Sequence, residues 1–182
     1  MPKVYAFIAD GTEETELLCV VDILRRAGID ALTVSVGGAT VTSSHGVKIT
    51  ADMAIADCAF DDADLLFVPG GMPGTLNLEK SEIVRACIQV AMTREIYLAA
   101  ICAAPSILGH MGLLEGKKAT CYVGFEEQLT GATATKEAVV QDGRFITARG
   151  AGVALPFALK LAEVLRGSTK AMALKESLLC EG

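Results

Sequence analysis

Cys102 and Glu16 are the two side chains whose type and setting point to covalent chemistry. Cys102 follows the uncharged apolar run Ile96-Tyr97-Leu98-Ala99-Ala100-Ile101 and precedes Ala103-Ala104-Pro105. The run reads as a strand buried on both faces. Small residues and a proline suit the first turn of a helix. A sharp strand-to-helix turn pushes its central side chain out of the top of a sheet. The helix that follows is expected to aim free N–H groups at the sulfur and, with its dipole, to favour thiolate over thiol. Placement alone leaves a second reading open, a small cysteine in the core.

Glu16 belongs to a run that opens Glu13-Glu14-Thr15-Glu16. Acids at the start of a helix contribute about 0.3–1 kcal/mol each through the dipole, and that accounts for Glu14. It does not account for Glu16, which shares a face at helical spacing with Val20, Ile23, Leu24 and Ala27. An inward carboxyl has its pKa raised by burial, as a proton-shuttling acid/base requires. Glu13 lies at the edge of that face. Gly70-Gly71 closes another apolar run. Glycines let backbone N–H groups approach a ligand, and one such N–H with that of Ala103 would make an oxyanion hole. The alternative is an ordinary glycine-rich turn. No GxGxxG or GKS/GKT phosphate loop is present.

These residues need a sheet to bring them together. Strands are expected at residues 4–9, 31–36 and 64–68, with short ones between 41 and 54 broken at His45-Gly46. A hairpin is expected around Asp142-Gly143. Helices are expected at 13–27, 81–93, 153–166 and 170–179, with Gly28 and Gly167 as stops. This alternation predicts an α/β fold, a mostly parallel sheet covered on both faces. Sites in such sheets form beyond the carboxyl ends of the strands. Asp10 to Glu16, Pro69 to Gly74, and Cys102 all fall at strand ends and would converge on one pocket if those strands are neighbours. No linker or repeat divides residues 1–182, which reads as a single domain.

Composition narrows the function classes. Net charge is -6, pI is about 4.9, and the only basic clusters are pairs, so nucleic-acid binding is not expected. Six cysteines without a CxxC pair and only two histidines offer no zinc spacing, and no metal site is expected. Most of the cysteines lie in apolar stretches, which fits reduced thiols in a cytoplasmic protein. The apolar run at the start is too short for a signal peptide. Residues 96–114 carry no Asp, Glu, Lys or Arg, yet Pro105, two glycines and His110 fit a strand, an elbow and a buried helix, not a membrane span. His110 lies about two turns past Cys102, and His45 sits in a turn that reads as exposed. No Cys-His-Asp triad follows from the spacing.

Five stretches together resemble the DJ-one/ThiJ/PfpI superfamily. They are Gly11-Thr12-Glu13-Glu14-Thr15-Glu16, Val21 to Gly28, Val68-Pro69-Gly70-Gly71, Ala99 to Pro105, and Thr147-Ala148-Arg149-Gly150. Their order and spacing fit essentially the whole chain. The likeness is to the branch of the Parkinsonism-associated deglycase and the bacterial ThiJ-like proteins. The protease branch has a histidine directly after the cysteine, where this chain has Ala103. The resemblance implies a flavodoxin-like three-layer sandwich, a homodimer and no cofactor. It implies that Cys102 is the nucleophile, that Glu16 hydrogen-bonds its thiolate, and that Gly71 and Ala103 supply oxyanion-hole amides. Four positions depart from the family. Tyr122 stands where the Parkinsonism protein has a pocket histidine, His45 where it has an arginine reaching the partner's site, and Ala151 and Val153 replace a usual proline and threonine.

The leading expectation is a cofactor-free enzyme for small α-oxoaldehydes, converting methylglyoxal to the hydroxy acid, or removing early glycation adducts from amines. Gly70, Tyr122 and His45 are further pocket candidates. A redox sensor or chaperone using oxidation of Cys102 is the alternative, with Cys121 and Cys180 as additional thiols. A cysteine amidase or peptidase ranks below both, because no histidine stands beside Cys102.

Overall fold

Strands with consecutive apolar residues form the centre of the sheet and are buried on both faces. The computed structural model describes residues 1–180. Along the chain run β1 (Lys3–Ile8), α1 (Glu14–Arg26), β2 (Asp30–Ser35), β3 (Thr40–Thr42), β4 (Lys48–Thr50), β5 (Met53–Ala54) and β6 (Leu65–Val68). Then follow α2 (Gly74–Lys80), α3 (Glu82–Thr93), β7 (Tyr97–Ile101), α4 (Pro105–His110), β8 (Lys118–Ala119), β9 (Thr133–Ala134), β10 (Val139–Asp142), β11 (Phe145–Ala148), α5 (Ala154–Arg166) and α6 (Ser168–Ser177).

Seven strands pair in the order β10-β11-β7-β6-β1-β2-β5, all parallel except β10 with β11. Numbering only β1, β2, β6, β7 and β11 in chain order gives 2-1-3-4-5, the flavodoxin-like order. Successive side chains alternate between two cores. Val4, Ala6, Ile8, Phe67 and Ile101 pack with Leu17 and Leu24 of α1 and Phe157 of α5. Tyr5, Phe7, Leu66, Val68 and Leu98 pack with Leu78 of α2, Ile88 of α3 and Ile107 of α4. Each fully buried side chain of that size contributes roughly 1.5–3 kcal/mol, and this three-layer sandwich is why the central strands carry almost no polar residue.

Glu13 caps α1 by accepting the Glu16 N–H at 2.8 Å. Gly28 follows at φ +73°, the left-handed conformation that ends a helix most cheaply in glycine. The expected strands and helices at 13–27, 81–93 and 153–166 all form within a residue or two, and the last helix starts two residues earlier than expected and ends two sooner. Two features were not expected. One is α2, which opens on Gly74 after a proline and is held by Thr75 N–H to Gly71 C=O at 2.8 Å and Asn77 N–H to Pro73 C=O at 2.9 Å. The other is the small parallel pair β8–β9. The uncharged stretch 96–114 folds as β7, the elbow and α4, and no helix among the described residues is long and apolar enough to cross a membrane.

Candidate functional site

The three strand ends converge, because β1, β6 and β7 are successive neighbours in the sheet. The segment after β1 is stitched to the segment after β6 by Glu13 N–H to Gly70 C=O at 2.9 Å. The elbow after β7 is pinned by Cys102 N–H to Ala148 C=O at 2.9 Å, at the end of β11. Cys102 adopts φ +64°, left-handed for a residue that is not glycine. Such a conformation costs on the order of 1–3 kcal/mol and persists only where the surroundings enforce it.

Glu16 points inward as its helical face requires and is 0 % exposed. Its Oε2 accepts the Gly70 N–H at 2.9 Å. Its Oε1 has no hydrogen-bond partner among the described residues. Burial drives the carboxyl up to about 7, against the lowering influence of the Cys102 thiol and the Gly70 amide. Cys102 is half-buried. Burial first, then the negative charge of Glu16, push its thiol up to about 12, while the Ala103 and Gly71 amides pull the other way. Neither of those two N–H groups donates to a backbone carbonyl among the described residues.

The thiol therefore departs from the expectation of a thiolate favoured by a helix start. Two physical reasons are visible. The helix α4 begins only at Pro105, and the Ala104 N–H is spent on the Ile101 carbonyl at 3.0 Å, leaving Ala103 as the amide of that turn that acts on the sulfur. The site is also dry enough that an ionised Glu16 opposes a second negative charge beside it. Carboxyl and thiol behave as a coupled pair, releasing one proton near 7 and holding the other to about 12.

Glycine is required where these segments touch. A Cβ on Gly70 would sit 2.5 Å from Cys102 Cβ and 2.6 Å from Glu16 Oε2. Gly71 has φ +93°, and a Cβ there would meet Gly11 O at 2.5 Å. Gly150 was expected only as part of a motif; its Cα faces both Cys102 and Tyr122. No period or charge pattern marks such a position in a sequence. Thr12, also fully buried, ties the Asp10 to Glu13 loop by accepting the Ala9 N–H at 3.0 Å.

The other candidates fall at different distances from this centre. Tyr122 is at its mouth, with its N–H on the Cys102 carbonyl at 2.8 Å and its side chain exposed. His45 is exposed at the tip of the β3–β4 hairpin, 3.2 Å from Glu14 Oε1 and 3.8 Å from Glu13 Oε1. The ligand atoms of Glu13, Glu14 and His45 lie within 4.8 Å of one another, but Glu13 is already the helix cap and Glu14 accepts the Ser44 hydroxyl. His110 pairs with Glu79 on the outer face. All six cysteines are unpaired; Cys121 is buried and Cys180 half-buried. An apolar groove lies elsewhere, between β10, α5 and α6, and holds no cysteine or histidine among its lining residues.

The model of the DJ-1/PfpI family matches residues 2–164. The chain belongs to the DJ-1/PfpI family. It is 40% identical over 173 residues to protein DJ-1 homolog B of Arabidopsis thaliana, covering 93% of this chain and 40% of that protein. The chain thus spans well under half the length of that relative. Its fold superposes on the oxidized form of Toxoplasma gondii DJ-1 with a TM-score of 0.95 at 34% identity, covering 98% of each chain. It is also 29% identical over 171 residues to the glutathione-independent glyoxalase DJR-1.2 of Caenorhabditis elegans, covering 93% of this chain and 91% of that protein.

Proposed function

We propose that the chain is a cofactor-free enzyme, folded as one domain, that converts small α-oxoaldehydes to 2-hydroxy acids with Cys102 as nucleophile. The observation that carries the reading is the buried Glu16 carboxyl, with one oxygen bonded to Gly70 and the other unpartnered, beside a half-buried thiol. A glyoxalase name on a relative at 29% identity supports it.

The chemistry follows from the single proton shared by the pair. Glu16 takes the thiol proton as sulfur attacks the aldehyde carbon, and the new C–S bond leaves negative charge on oxygen. The Gly71 and Ala103 amides stabilise that charge, and Glu16 then protonates it to give the hemithioacetal. The restored carboxylate removes the hydrogen from the former aldehyde carbon and delivers it to the neighbouring carbon through an enediol. The aldehyde carbon is oxidised and the ketone carbon reduced, so no outside electron acceptor is needed. Water cleaves the resulting thioester, releasing hydroxy acid and the free thiol. Glycated amines, whose early adducts present the same carbonyl, are the alternative substrate. The reduced cysteines fit a cytoplasmic protein, and the family likeness a homodimer.

The test is lactate formation from methylglyoxal by the purified protein, with Cys102→Ser and Glu16→Gln as controls. Turnover in the wild type and loss of at least a hundredfold in both variants is expected. Turnover that survives Cys102→Ser removes the sulfur from the mechanism. A second reading, a redox sensor, is favoured by the oxidized state of the Toxoplasma relative. It expects no turnover and a gain of two oxygens on Cys102, the sulfinate, under mild peroxide. A peptidase is not supported, since His45 and His110 are engaged with Glu14 and Glu79.

A further inference from the structure

Tyr122 occupies the mouth of the site in a way its proposed chemistry does not yet use. Its backbone is fixed on the nucleophile's own peptide by the 2.8 Å bond from its N–H to the Cys102 carbonyl. A Cβ built on Gly150 would lie 3.3 Å from Tyr122 Cδ2, 3.8 Å from Cε2 and 3.9 Å from Cys102 Sγ. The sulfur and the ring therefore flank the same side of Gly150, which having no side chain puts nothing between them. Tyr122 is 49% exposed. The neighbours of the site's backbone, Met72 beside Gly71 and Val123 beside Tyr122, are likewise exposed and apolar.

We propose that Tyr122 is a specificity wall: its ring face receives the substituent of the substrate carbonyl, so the site prefers α-oxoaldehydes with a flat aromatic substituent over methylglyoxal. The inference rests on the oxoaldehyde reading for its reaction but not for its geometry. Offset or edge-on contact between two rings adds selectivity beyond the area it covers. A tyrosine held at its backbone makes that contact with only two side-chain torsions to order. The hydroxyl remains in water, which suits a ring that is half in and half out of the site.

The experiment compares kcat/KM for phenylglyoxal with kcat/KM for methylglyoxal in the wild type, Tyr122→Ala and Tyr122→Phe. The expected ratio falls by about threefold to tenfold in Tyr122→Ala and is retained in Tyr122→Phe, which keeps the ring. An unchanged ratio in Tyr122→Ala overturns the proposal. So does an equal fall in Tyr122→Phe, which would assign the effect to the hydroxyl. A second arm needs no turnover: alkylation of Cys102 by N-phenyliodoacetamide relative to iodoacetamide. The same pattern across the three proteins supports the wall even if no oxoaldehyde is converted, and then only the reaction is rejected. A ratio of alkylation rates that is the same in all three overturns the wall whatever the enzyme does with aldehydes.

Discussion

Replacing Glu16 with glutamine should stabilise the protein at neutral and alkaline pH while abolishing its chemistry. The carboxyl is raised from 4.5 to about 7 in the folded state. At about 1.4 kcal/mol for each tenfold in proton affinity, an ionised Glu16 costs the fold on the order of 3 kcal/mol above pH 7. The sign follows from linkage. Between 4.5 and about 7 the folded protein holds a proton that the unfolded chain has lost, so stability present below 4.5 drains away as pH rises. Glutamine has nearly the same shape, keeps an oxygen for the Gly70 N–H, and does not titrate. The assay is urea unfolding at pH 5, 6, 7 and 8 at one protein concentration, since association would otherwise shift the midpoint. The wild type should lose stability over that range relative to Glu16→Gln. By pH 8 the variant should be on the order of 3 kcal/mol more stable after the two are matched at pH 5, and thermal melts of the same samples should differ by roughly 6–12 °C. Parallel pH profiles in the two proteins would refute the argument, because they would mean that Glu16 is not desolvated.

Two further outcomes bear on the same pair. Because one proton is shared between about 7 and about 12, kcat/KM for an oxoaldehyde should rise tenfold per pH unit below 7 and level off above it; a rate that is flat from pH 5.5 to 9 contradicts the shared proton. Gly70→Ala places a Cβ 2.5 Å from Cys102 Cβ and 3.0 Å from the Ile101 carbonyl, an overpacking cost of about 1–3 kcal/mol. Its melting temperature and turnover should fall together, and wild-type values for both would show that the elbow has room to give.

Much of this architecture was legible in the sequence because the central strands are buried twice over. Val4 to Ile8, Leu65 to Val68 and Tyr97 to Ile101 offer apolar residues at successive positions, and only a sheet covered on both faces uses them all. The inward turn of Glu16 was legible too, since its neighbours at helical spacing are all aliphatic. The helix α2 was not, because Gly74 and the preceding proline are loop residues by type, and tertiary contact with Gly11 holds them in place. The state of the sulfur was not either. Sequence places Cys102 before a helix but says nothing of how far the helix lies from it, nor of how dry the pocket is. Those two quantities set the thiol high.

Glu16 is best understood by what surrounds it in the core. The other buried polar side chains among the described residues are serines and threonines: Thr12, Thr33, Ser35, Ser43, Thr75, Ser106, Thr120 and Thr147. Hydroxyls of this kind are neutral at any working pH, and all but Thr75 Oγ1 have a hydrogen-bond partner among the described residues, as Ser106 does on the Ala103 carbonyl at 2.7 Å. A carboxyl needs more partners than a hydroxyl, and here it has one bond and a bare oxygen. A core selected for stability alone would fill that position with an aliphatic group or pair both oxygens. The strained φ of Cys102 imposes a second cost within the same few ångströms. Two independent departures from stable packing meet where three strands end, which is what a site that trades stability for reactivity requires, and they support the proposed roles of Glu16 and Cys102.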